Sequence, residues 1–285
     1  MPVRVLLDTC VVRSYVHTVG PKLDIEGIVA HASELRVSLA DSCFAELMAQ
    51  LLERRCNFSD WSSKVHELDS ILDKAFPIFP GGNELAYMSG IWQPAPINLS
   101  DSAIYYCACW DYMSSAKCID DLTNEVTFTD SEGTHRICGN ENQVKMTLEG
   151  HRNRWRDYVH DMQKRLAGKK PEEVWSLIRM GLSPKDGEPA DFAARLDCVA
   201  KCLALFLNMA LKKNGPYNPD GENRAGDVFD MDLLYALPLP AIIVTADEKF
   251  YNRMRSLDCQ QVSQIVLVEE FNQHIHNGTL ASLIH

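Results

Sequence analysis

Ala241-Ile-Ile-Val-Thr-Ala-Asp-Glu-Lys-Phe250 begins with five residues that carry no charge, four of them β-branched. A run apolar on both faces suits a strand covered on both sides, and such strands belong to parallel sheets between helices. Pro238 and Pro240 close off whatever helix precedes it. Beyond it, 247–257 reads as a helix and 264–268, Gln-Ile-Val-Leu-Val, as a further strand. The stretch 226–237 reads as a helix leading in.

The opposite end of the chain has the same rhythm. Val3-Arg-Val-Leu-Leu7 is a short apolar run that stops at Asp8, and Leu35-Arg-Val-Ser-Leu39 alternates as a second strand. Asp41 is placed to cap a helix whose Phe44, Leu47, Met48, Leu51 and Leu52 share one face. Strand–helix alternation at both ends predicts an α/β fold with a parallel sheet flanked by helices.

The middle reads differently. Helices are predicted near 61–76, 99–115, 146–168, 171–180 and 191–213, with a hairpin where Glu125-Val-Thr-Phe-Thr129 meets Asp130-Ser-Glu-Gly133. Turn-rich breaks fall at 77–82, 94–96 and 214–226. The expectation is one sheet split in sequence: a core from 1–57 and 226–285, and a mostly helical insertion over 58–225.

Composition narrows the classes. The chain has 285 residues, 46% of them hydrophobic and 24% charged, enough for a substantial core. No run approaches the roughly 20 apolar residues that span a bilayer, and the apolar run in the first residues is too short for a secretory signal. A cytoplasmic protein is expected, without a membrane partner. The ten cysteines then read as reduced thiols. No pair has the Cys-x2-Cys spacing of a zinc site; Cys198 and Cys202 read as one helix face. A net charge of -11 argues against a protein that holds nucleic acid by overall charge. It leaves room for one that gathers carboxylates around cations.

Four acids stand where such a sheet would collect them. Asp8 ends the first strand, Glu46 lies on the helix after the second, Asp230 on the helix before the 241–245 strand, and Asp247 just beyond that strand. Ligand sites in open parallel sheets form beyond the carboxyl ends of strands. Hard cations such as Mg²⁺ or Mn²⁺ take oxygen ligands, and Mg²⁺ keeps much of its water, so a few carboxylates suffice. Such an ion activates water and polarises a phosphodiester.

On these residues the chain resembles the PIN-domain nucleases. Val5-Leu-Leu-Asp8-Thr9 resembles their opening strand and first aspartate. Ser38-Leu-Ala-Asp-Ser-Cys-Phe-Ala-Glu46 is similar to their second-acid segment, and Asp227-Val-Phe-Asp230 to their third-acid helix. Ile243-Val-Thr-Ala-Asp247-Glu-Lys-Phe250 resembles their Thr-x-Asp-x-x-Phe segment, the most specific match. The resemblance covers about the first 55 and last 60 residues. It implies Asp8, Glu46 and Asp230 as ligands of Mg²⁺ or Mn²⁺, with Asp247 a ligand or its support and Asp227 the alternative third acid one turn away. It implies that Thr245 orients the cluster. Cys10 departs from the pattern, standing where a small polar residue is usual, so a polar contact near the metal is expected to be missing. The implied activity is hydrolysis of phosphodiester bonds in RNA, with DNA structures as the alternative substrate and a regulatory protein partner left open.

The segment from His151 onward adds a substrate expectation. Arg152, Arg154, Arg156, Lys164, Arg165, Lys169 and Lys170 lie close together beside Trp155 and Tyr158. Cations interleaved with aromatic rings suit a phosphate backbone and a stacked base. The competing reading is a solvated helix face with a core tryptophan. Two further classes remain in view: a phosphatase using Asp8 as nucleophile, which would favour a second Asp where Cys10 stands, and a PIN-like module that binds nucleic acid or protein without cutting.

Overall fold

In the computed structural model, which describes residues 2–17, 20–53, 56–90, 97–182, 192–209 and 227–284, strand β1 (Val3–Leu7) lies at the centre of the sheet. On one side it pairs with β2 (Leu35–Leu39), on the other with β5 (Ala241–Thr245), and β5 pairs in turn with β6 (Ile265–Leu267). The order is β2-β1-β5-β6 and every pairing is parallel. All five β5 residues are buried, as a strand with helices on both faces requires. Leu7 stands opposite Leu39 on one side and Val244 on the other. Three strands therefore end level, and whatever follows them shares one carboxyl-terminal edge.

The ends of the chain match the sequence reading closely: α3 (Ser42–Leu52) follows β2, α10 (Asp227–Leu234) precedes β5, and α11 (Glu248–Arg255) follows it. In the middle, α4 (Phe58–Asp69), α6 (Leu99–Ser114), α7 (Glu141–Leu166), α8 (Pro171–Gly181) and α9 (Phe192–Met209) lie where helices are predicted. The hairpin pairs β3 (Val126–Asp130) with β4 (Gly133–Ile137). The predicted breaks at 94–96 and 214–226 lie outside the described residues.

Four helices are not anticipated: α1 (Thr9–His17), α2 (Ile25–Ala30), α5 (Gly82–Met88) and α12 (Val268–Asn277). The first shows why. Its sequence is rich in β-branched residues, poor helix formers in isolation, yet Val11, Val12 and Val16 are buried, and tertiary packing decides. Asp41 is also corrected: it precedes α3 but makes no side-chain capping bond. The break expected at 77–82 begins beside the sheet, since Leu72 bridges Val37 and Ile78 bridges Leu39, both in parallel.

The core is continuous from the sheet into the middle of the chain, and includes Trp155 and Val159 of α7 and Leu196, Val199 and Cys202 of α9. Among the described residues no helix is long and apolar enough to cross a membrane.

Ile243 is fully buried between Leu6 and Ile265 on the flanking strands. Ile243→Ala should therefore cost about 2–5 kcal/mol through reduced burial and a residual cavity. The destabilisation reads out as a lowered urea midpoint. A change below about 0.5 kcal/mol, the range of surface substitutions, would contradict the central position of β5.

Candidate functional site

The side chain of Asp8 leaves the carboxyl end of β1 and is only 3% exposed. A carboxylate so placed needs donors, and they come from both ends of the chain. Thr245 donates its hydroxyl to Asp8 Oδ2 at 2.7 Å, and Cys10 donates its thiol to the same oxygen at 2.8 Å. The backbone amides of Thr9 and Cys10 add to these. Thr245 is itself held, accepting from the amide of Asp247 at 3.0 Å, while the amide of Ala246 donates to Cys10 Sγ at 3.1 Å. Burial pushes the Asp8 pKa up, and the hydrogen bonds oppose that shift. Thr245 thus orients the first acid, in line with the resemblance. Cys10 is a correction to it: the thiol makes the polar contact expected to be missing.

Asp247 lies two residues past β5 and caps α11, its Oδ1 accepting from the amides of Lys249 (2.7 Å) and Phe250 (2.9 Å). Asp8 and Asp247 are therefore neighbours on one edge, linked through Thr245.

A second group of acids adjoins them. Asp41 follows β2 as Asp8 follows β1, and Ser42 beside it hydrogen-bonds to Thr9 at 2.9 Å. Asp41 and Asp232, the latter from α10, line one narrow cleft with Phe79, Pro80 and Gly81. Burial, and after it the charge of Glu84 on α5, raise the Asp41 pKa to about 6. Burial, and after it Asp41, raise that of Asp232 to about 7, with Arg154 of α7 opposing. Gly81 lets the Asp41 carboxylate lie close, since a Cβ there would stand 2.2 Å from Oδ2 and displace it. Acids whose pKa values are raised by burial and by neighbouring carboxylates in a cleft are candidates for a functional site.

Sequence reasoning missed Asp41, Glu84 and Asp232. The signal for Asp41 was available: like Asp8, it sits just past a buried strand. Asp232 had none beyond its place on the third-acid helix, and Glu84 depends on a tertiary approach. On that helix Asp230 is half-buried. Asp227 is its first residue, with a side chain outside the described residues.

Glu46 is half-buried on α3, and the Cys43 thiol, buried near it, is raised first by desolvation and then by the charges of Glu46 and Asp8. Glu46 also lines a cavity of about 340 Å³ between α3 and α7, together with Arg13, Gln50, Lys145 and Arg152. Two buried atoms of that lining, Gln50 Oε1 and Arg152 Nε, have no hydrogen-bond partner among the described residues. Arg154 is exposed, within hydrogen-bond distance of His151 at 3.2 Å, and Arg156 is half-buried. The arginine-bearing helix thus packs beside the acids, against α3 and α10. Trp155 is only 6% exposed and stacks on Tyr158, which is 40% exposed. A base could stack on Tyr158 from outside, but the tryptophan belongs to the core.

The acids share an edge without crowding. Among the described residues, the only three or more Asp, Glu, His or Cys side chains with ligand atoms all within 4.8 Å of one another are Cys198, Cys202 and Cys259. No family model, curated protein or solved structure matches this chain.

The raised pKa values make a signed prediction for the metal-free protein. Free Asp titrates near 3.9, so the folded state holds the Asp41 and Asp232 protons more tightly than the unfolded state does. That stabilisation is fully present below about pH 4 and is lost as pH rises through about 6 and 7. Asp41→Asn and Asp232→Asn keep the shape without the charge. Each should exceed the wild type in stability at pH 8 by on the order of 1–2 kcal/mol, and the gap should shrink steadily toward pH 4. Denaturant titrations across this range check it; a gap independent of pH would be the contrary result.

Proposed function

We propose that this chain is a metal-dependent nuclease with a PIN-like core, acting first on RNA. One observation carries the reading: Asp8, Asp41 and Asp247 follow three adjacent parallel strands onto one edge, where Asp232 joins them and the arginines of α7 lie alongside. Burial raises the pKa values of Asp8, Asp41 and Asp232, so the fold disfavours their charged forms. Divalent cations would offset it.

The donor set fits Mg²⁺ or Mn²⁺. All the candidates are hard oxygens, and spacing wider than direct ligand contact suits a cation that keeps part of its water shell. The residues that would hold it are Asp8, Glu46, Asp230 and Asp247, named by the resemblance with Asp227 as alternative, and Asp41, Glu84 and Asp232, added by the geometry. When bound, such an ion lowers the pKa of a water molecule and polarises the phosphodiester. The chain's own residues do the rest. Thr245 and Cys10 fix Asp8 by donating to Oδ2. Arg152 and Arg154, and Arg156 further along, meet the phosphates, and Tyr158 offers a ring to an unpaired base.

A second reading has its own observation. Asp8 is almost fully buried and its lone pairs are well used, which suits a PIN-like module that binds RNA or protein without cutting it. Metal titration and a cleavage assay separate the two.

Purified protein should cleave RNA with Mg²⁺ or Mn²⁺ and stop on addition of EDTA. Asp8→Asn should lower the rate by roughly a hundredfold or more with an unchanged circular dichroism spectrum. Full activity in that variant would remove Asp8 from the site, while RNA binding without cleavage by the wild type would favour the second reading.

The arginines make a separate prediction. Replacing Arg152, Arg154 and Arg156 by Gln should raise the apparent KM for RNA. It should also flatten the salt dependence of binding to a single strand. The slope of log K against log salt should fall by about 0.7 for each phosphate the protein no longer neutralises. An unaltered salt series would return this face of α7 to a purely solvating role.

A further inference from the structure

On the side of the sheet away from the acids, Cys198 and Cys202 stand one turn apart on α9 and share a face of that helix. Both are fully buried. Half-buried Cys259 reaches them from the turn between α11 and β6, held in extended backbone at the start of a 3-10 turn over Gln260–Gln264. That turn belongs to the amino-terminal side of the sheet, since Gln264 Nε2 donates to the carbonyls of Leu239 (2.9 Å) and Ala241 (2.7 Å), where β5 begins. The three sulfurs lie within 4.8 Å of one another and hydrogen-bond among themselves, and none is in a disulfide.

We propose that Cys198, Cys202 and Cys259 form a thiolate site for a soft d¹⁰ cation, Zn²⁺ first, distinct from the carboxylate edge. Zinc binds thiolate sulfur at about 2.3 Å in a tetrahedron, so sulfurs at three corners stand about 3.8 Å apart. The existing cluster needs little contraction to reach that. Soft sulfur ligands select Zn²⁺ and Cu⁺ against Mg²⁺ and Mn²⁺, so the two sites would not compete. Binding replaces the thiol protons that the trio holds with one Zn²⁺; those protons go to solvent, and no electron is transferred. Three thiolates and Zn²⁺ leave one negative charge. Lys201 lies between the two helix cysteines, and its ammonium is anchored beside Cys259 by donating to the Asp258 carbonyl at 2.9 Å. Water would supply the fourth ligand of the tetrahedron, with Cys259 the least buried of the three cysteines. Occupied, the site would clamp α9 to the connection between α11 and β6.

The test uses the full chain, reduced and kept anaerobic, with Co²⁺ as optical probe and Zn²⁺ as competitor. One equivalent of Co²⁺ should give a near-ultraviolet thiolate-to-cobalt charge-transfer band, and Zn²⁺ should abolish it. Asp8→Asn should leave the band intact, and Cys259→Ser should weaken Co²⁺ and Zn²⁺ binding by roughly a hundredfold or more. Should that variant fail to fold, alkylation of the wild type decides: Zn²⁺ should protect Cys259 from iodoacetamide while exposed Cys118 reacts as before. The absence of the charge-transfer band overturns the proposal. So do unchanged binding by a folded Cys259→Ser, alkylation of Cys259 indifferent to Zn²⁺, or a disulfide within the trio as its stable state.

Discussion

The hydrogen bond from Thr245 to Asp8 joins residues 237 positions apart in the chain, and much of the structure exists to make it possible. A carboxylate at 3% exposure is unfavourable unless donors surround it. Cys10 and the local amides supply some of them, and Thr245 comes from β5, which only pairs with β1 if the two ends of the chain close one sheet. That closure sets Leu7 level with Val244, and level strand ends bring Asp8, Thr245 and Asp247 to the same edge. Removing either partner leaves a buried polar group unsatisfied, so the link is worth more than one hydrogen bond in isolation. The chemistry of the edge and the stability of the sheet therefore rest on the same atoms.

The sheet was legible in the sequence because its signals are local. Val3–Leu7 and Ala241–Thr245 are apolar on both faces, and each ends within two residues of an acid. From that the parallel class, and the gathering of Asp8 and Asp247 at one sheet edge, could be anticipated; the part of Thr245 came only from the resemblance. The less legible parts depend on approach in space. α1 is helical because Val11, Val12 and Val16 meet the core, against their own propensity. Asp41 looked like a cap because Asp before a helix usually caps. In the fold its carboxylate lies instead against the Gly81 backbone, where a Cβ would collide with it. Neither fact can be read without knowing what packs opposite.

Electrostatics explains why the acids cluster at the edge rather than disperse. In a chain of net charge -11 most carboxylates are solvated and repel weakly. Asp41 and Asp232 instead stand in a partly closed cleft near Glu84, where burial raises both pKa values and repulsion is less screened: Glu84 adds to the shift of Asp41, and Asp41 to that of Asp232. Arg154 opposes the effect in both cases, yet the shifts remain upward, so one cation does not neutralise the group. The arrangement is unfavourable for the isolated fold and becomes favourable once further positive charge enters. That asymmetry is what the proposed cation-binding edge requires, whereas a set of surface ion pairs would be balanced already.

The segment 58–225 contributes to both ends of the sheet. At the carboxyl edge it supplies Glu84, Arg152 and Arg154, and so part of the negative cluster and the positive charges that border it. At the amino side it supplies Cys198, Cys202 and Lys201. A segment that only covered the sheet would be expected to pack apolar residues against it and turn its charges to solvent. This one places titratable groups of opposite character against the two ends of the same four strands: hard oxygen and guanidinium at one, soft sulfur and an ammonium at the other. The core runs without a break between them, through Val159 of α7 and Val199 of α9. A substitution in the middle of the chain can therefore act on either end through packing, so the residues that shape the carboxylate edge extend well beyond the strands that carry its aspartates.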